Sequence, residues 1–207
     1  ISMPFSRLQP DQKMPLNLAG ANFLLINNAF LKNNIETEII LNLSQNSILE
    51  IVIDFIDPDF YHNKNSKAAV EKKEQYQKLD TNRSYTLNLQ INLNGLNARA
   101  KFVGKILYPG LKLDLTTHCR HQNDLQSSNQ DLKIGLLDGN RIEYLAKISN
   151  KNNIKMTQVE ANQVCNIISL GNKAKIQIRP ELEITNQNLS CSHGVSFVDI
   201  QDDQEVY

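Results

Sequence analysis

The chain has 207 residues, with 22 Lys and Arg balanced by 22 Asp and Glu for a formal net charge of zero, and 41% of its residues are hydrophobic. That length suits one domain with a real core, and the scattered basic residues form no face or stripe of the kind that binds nucleic acid. There is no apolar run long enough to span a membrane and no signal-peptide pattern, and three cysteines make an odd count, so the expectation is a soluble intracellular chain without a disulfide framework.

Residues 1–20 carry Pro4, Pro10 and Pro15 with few periodic apolar positions, and are expected to form an irregular arm. A core domain is expected over 21–207. It begins with Phe23-Leu24-Leu25-Ile26, a turn signal at Asn27-Asn28, and Ala29-Phe30-Leu31, the pattern of two short strands tightly joined. Strands are expected at 39–43 and 48–56; in the second, Leu49, Ile51, Ile53 and Phe55 alternate with Glu50, Val52, Asp54 and Ile56, so one face is buried. Asp57-Pro58-Asp59 ends that strand. A polar, Lys-rich insertion or loop follows near residues 58–84, with too few apolar residues to dock firmly.

From Tyr85 the chain reads as almost continuous β. Tyr85, Leu87, Leu89, Ile91 and Leu93 alternate with Thr86, Asn88, Gln90 and Asn92, and strand-like runs follow at 98–107, 111–119, 132–137, 142–148, 154–159, 166–170, 174–178 and 182–184. Turn residues separate most of them: Asn94-Gly95, Pro109-Gly110, Asp138-Gly139-Asn140 and Gly171-Asn172. The fold class is therefore all-β. Strand spacing alone admits a sandwich, a jelly roll or a β-helix.

The residues that carry chemistry are few. If 190–194 is a strand, Cys191 and His193 stand two apart and share a face, presenting a thiolate and an imidazole as half of a metal or cluster site. Cys119 and His121 repeat the spacing, with His118 on the opposite face. Either pair also serves as a buried cysteine beside a hydrogen-bonded histidine. Cys165, in an apolar run, is expected to be buried. Glu181 and Glu183 flank Leu182 as an exposed carboxylate pair without an evident partner for acid–base work. No phosphate-binding Gly-rich loop, Gly-x-Ser-x-Gly elbow or His-Glu-x-x-His helix occurs, so neither ATP hydrolysis nor hydrolase chemistry has a handle, and no enzyme activity is expected.

From Gln163 onward the order Gln163, Ile167-Ile168, Leu170, Ala174, Pro180, Leu182-Glu183-Ile184, Cys191-Ser192-His193-Gly194, Asp199 and Tyr207 resembles the C-terminal core of the SufB/SufD family of the SUF iron–sulfur assembly system. Asp114 to His121, Ser127-Ser128-Asn129-Gln130 and Lys133-Ile134 extend the resemblance upstream. The Cys-Ser-His-Gly wording resembles the SufD branch rather than SufB. The resemblance implies a right-handed parallel β-helix and a non-catalytic scaffold subunit of the SufBCD complex, supporting cluster assembly and iron entry at an interface with SufB. It implies His193 and Cys191 as residues toward a transient iron–sulfur cluster or iron, with His121 and Cys119 behind them. Expected partners are SufB, through the last coils of the helix, and the SufC ATPase, through a C-terminal helical region that relatives carry beyond Tyr207. A homodimer is the expected state without SufB, in the cytoplasm or an organellar stroma. The alternatives are a SufB-like scaffold and, outside the family, a carbohydrate-active β-helix enzyme.

Overall fold

The computed structural model describes residues 15–28, 36–57, 84–150, 158–171, 173–185 and 189–199. Alternation of apolar and polar residues makes nearly every described segment a strand, because side chains on a pleated backbone point to opposite faces in turn. Twelve strands follow in order: β1 (Leu16–Leu18), β2 (Ala21–Asn27), β3 (Glu36–Leu43), β4 (Ile48–Ile56), β5 (Ser84–Leu93), β6 (Arg99–Leu107), β7 (Lys112–His121), β8 (Gln126–Leu136), β9 (Arg141–Asn150), β10 (Val159–Ser169), β11 (Lys175–Glu183) and β12 (Leu189–Asp199). The odd strands form one six-stranded sheet and the even strands another, each in chain order, and every pairing is parallel. The chain thus winds as a parallel β-solenoid, each coil adding one rung to each sheet.

Inward residues stack into columns. One column runs Leu87, Leu115, Tyr144 and Ile178 through the odd sheet. Another runs Leu24, Ile51, Phe102, Gln130, Gln163 and His193 through the even sheet. Both sheets turn their apolar columns toward each other, so Phe55, Phe102, Leu87, Ile91 and Leu132 are all but fully excluded from water. Burying a Leu, Ile or Phe side chain is worth roughly 1.5–3 kcal/mol, and the stacked columns supply the stability of the solenoid.

Outward residues stack too. Asn92 Nδ2 donates to Asn42 Oδ1 at 2.8 Å and Asn42 Nδ2 to Asn17 Oδ1 at 3.0 Å, a rung-to-rung amide ladder across three coils. The turns are layered in the same way: Asn46 and Asn97 take positive φ of 57° and 55°, and Asn97 Nδ2 donates to Asn46 Oδ1 at 3.0 Å. Gly95 is required there, since a Cβ would lie 2.0 Å from the Gln45 backbone nitrogen of the turn below.

Several expectations need correction. Residues 1–20 are not wholly an irregular arm, because β1 pairs with β3. Of the two tightly joined strands expected at 23–31, the first is β2, which pairs in parallel with β4, and residues 29–31 lie outside the described residues. The runs at 154–159 and 166–170 resolve into β10, with 154–157 outside the described residues, and those at 174–178 and 182–184 merge into β11. Of the insertion at 58–84, only Ser84 is described, as the first residue of β5.

Candidate functional site

β12 is the last rung of the even sheet. Its inward residues are Cys191, His193, Val195 and Phe197, in register with Ala161, Gln163, Cys165 and Ile167 of β10. The β10 set is buried, each residue 4% exposed or less, whereas Val195 is 46% and Phe197 55% exposed. The difference is one of position along the solenoid: β10 has rungs on both sides, while β12 has β10 on one side and no described strand on the other. On this open inward face Cys191 is half-buried and His193 exposed, and the expected strand geometry places both side chains on the same face. Partial burial raises the Cys191 thiol above its ordinary range. The His193 ring makes no hydrogen bond among the described residues.

Behind this face the interior is polar. Thr117 donates to Gln130 Oε1, its hydroxyl lies 3.0 Å from the Tyr144 hydroxyl, and Gln130 Nε2 reaches the Lys147 carbonyl at 3.4 Å. Gln163, next in the Gln130 column, is 3% exposed, and both its amide atoms are buried without a partner among the described residues. Burial pushes the Cys165 thiol up to about 12.

Cys119 and His121 point inward on β7, deep in the closed part of the solenoid, at 1% and 0% exposure. Burial pushes the Cys119 thiol up to about 12 and the His121 imidazole down to about 4. His121 Nε2 lies 2.9 Å from Ser128 Oγ, while Nδ1 is buried and unpartnered. A neutral thiol and a neutral ring in a sealed interior fit packing. His118 faces outward as expected. Its Nε2 lies 2.7 Å from Ser149 Oγ, its Nδ1 accepts from Arg120 Nε at 3.3 Å, and burial together with the Arg120 and Lys147 charges lowers it to about 4. Glu181 and Glu183 are not partnerless: Lys147 Nζ lies 2.5 Å from Glu183 and 3.9 Å from Glu181, and this hydrogen bond holds the Glu183 carboxyl below its ordinary range.

Among the described residues no three His, Cys, Asp or Glu side chains converge to hold a metal ion. Cys191 and His193 therefore stand as a two-donor set on an open face. A thiol and an imidazole are donor types that suit iron, but two donors alone do not complete a metal's coordination. The sequence reading missed two residues here. Lys147 belongs with the carboxylates only through the β9–β11 register, and Gln163 was part of the motif order without a role of its own.

The chain matches the family model described as SUF system FeS cluster assembly, SufBD core domain, over residues 27–207. It is 26% identical over 182 residues to the iron–sulfur cluster assembly SufBD family protein slr0076 of Synechocystis sp., a match covering 84% of this chain and 39% of that protein. The chain thus spans well under half of that relative. A parallel solenoid whose last described rung carries a Cys-x-His pair, matched by the family model over most of its length, belongs to the SufBD core-domain family of the SUF iron–sulfur cluster assembly system.

Proposed function

We propose that the chain is the core of a SufD-like scaffold subunit, which pairs with SufB through its last coil and presents His193 to iron or a nascent cluster at that seam. The carrying observation is the open inward face of β12, where His193 is exposed and Cys191 half-buried, while Gln163 and Ala161, their register partners on β10, are buried. An imidazole is a monodentate, exchangeable ligand, suited to cargo that must be released. Val195 and Phe197 offer apolar surface beside it, and β12, which has no described strand on its outer side, would be extended there by a homologous strand through β-augmentation. The same edge would accept a second copy when SufB is absent. SufC would dock through sequence outside this core, in the cytoplasm or an organellar stroma, and the core itself would contribute no catalysis.

The test is co-purification of the full-length protein with SufB and SufC, comparing wild type with His193→Ala for complex formation and for bound iron and sulfide. The expected result is an intact complex with a large loss of iron and sulfide. A complex that keeps its full load in the variant overturns the assignment of His193.

A further inference from the structure

Gln163 is the least satisfied polar side chain of the described interior. Its amide nitrogen and oxygen are both buried and both without a partner. A buried polar group without a partner is disfavoured, and a donor or acceptor that reaches it relieves that cost. Its neighbour on one side, Gln130, already spends its amide on Thr117, Tyr144 and the Lys147 carbonyl. Its neighbour on the other side is His193, in direct register and on the same inward face.

The geometry for a rung-to-rung bond is already in place one residue away. Ser192 Oγ donates to Asn162 Oδ1 at 2.6 Å, and Asn162 Nδ2 donates to Asn129 Oδ1 at 3.1 Å. Ser196 Oγ donates to Asn166 Oδ1 at 2.7 Å between the same two strands. Parallel strands run roughly 4.8 Å apart, so side chains paired across β10 and β12 meet without any backbone movement. His193 and Gln163 are register partners in one column, so a turn of the exposed ring about its side-chain bonds is the movement the pairing asks for.

We infer that Gln163 is the positioning residue for His193: its carboxamide oxygen accepts the imidazole Nδ1–H, which leaves Nε2 unprotonated and directed out of the open face. A ring nitrogen ligates only in its unprotonated form, and the bond made by the other nitrogen sets which one that is. The functional meaning rests on the proposed ligand role of His193. The pairing itself does not.

The experiment is a long-range proton–nitrogen correlation spectrum of the 15N-histidine-labelled chain at pH 8, with the His193 signals assigned by their loss in His193→Asn. Wild type is expected to carry its proton on Nδ1. Gln163→Met, which keeps the side-chain length and removes both orphans, is expected to move the tautomer ratio about tenfold toward Nε2–H, the scale of one hydrogen bond. A wild-type ring protonated mainly on Nε2 overturns the inference without reference to any variant, as does an unchanged ratio in Gln163→Met with its far-ultraviolet circular dichroism intact. Loss of iron in His193→Ala with no tautomer coupling leaves the ligand role standing and removes Gln163 from it. Coupling without any loss of iron does the reverse.

Discussion

The middle coils and the last coil are built from strands of similar length and the same inward alternation, yet they treat the same column in opposite ways. Phe102, Gln130 and Gln163 in the even sheet are core, 1%, 1% and 3% exposed, while His193, the next residue of that column, lies open. In a solenoid the identity of an inward residue does not decide whether it is core or site; the presence of the next rung does. The same rule separates the two Cys-x-His pairs, since the pair on β7 lies between rungs and the pair on β12 has no described strand beyond it.

The sharpest way to break this comparison is to cut equivalent side chains in the two regions. Phe102→Ala is expected to cost roughly 3–5 kcal/mol, the usual range for a buried aromatic, while Phe197→Ala in the isolated chain should cost less than about 1 kcal/mol. Urea unfolding of the two variants gives the difference directly. Equal losses would mean that another surface covers the last rung.

Acid comes next. The His121 imidazole is lowered to about 4 by burial, so between pH 6.5 and pH 4 the unfolded chain binds more protons than the folded one. Stability is therefore full above about pH 6.5 and falls as the pH drops, by about 3 kcal/mol from this group once pH 4 is reached. His118, lowered for related reasons but partly exposed, adds a smaller loss in the same direction. Unfolding free energies measured from pH 7 to pH 4 should show that slope, and His121→Gln should flatten it.

A smaller contrast compares two glycines. A Cβ on Gly104 would lie 2.3 Å from the Leu132 Cδ1 atom in the sealed core, whereas a Cβ on Gly194 of β12 would meet nothing within 4 Å. Gly104→Ala should cost about 1–3 kcal/mol through overpacking, and Gly194→Ala should be close to neutral in a thermal melt. The smallest effect belongs to the outer face: Lys147→Ala should cost at most about 1 kcal/mol, and 0.5 M salt should erase most of the difference from wild type.

Much of the strand pattern was legible because Tyr85 to Leu93 and Ile48 to Ile56 alternate without interruption. What failed was continuity. Gln163, Gln130, Thr117 and His121 point inward, so the alternation of apolar and polar residues lapses where the backbone alternation does not, and β10 read as two fragments. Sheet topology was not legible from period at all, since parallel and antiparallel ladders demand the same alternation; only the ordered motif around Cys191 and His193 chose between them. The shared face of that pair followed from its spacing. Its exposure did not, because burial here depends on a rung that is remote in sequence.

The amide ladder of the outer face has a consequence for how the chain tolerates change. Asn17 and Asn42 are 25 residues apart and Asn42 and Asn92 are 50 apart, yet the two steps make equivalent bonds in unbroken register. Alignment of a rung is set by the strand beneath it and owes nothing to the length of the connection that delivers it. The cost of a longer connection grows only with the logarithm of its length. The link between β4 and β5 is thus a place where lineages, or engineers, can lengthen, trim or exchange sequence while the rungs above and below keep their alignment.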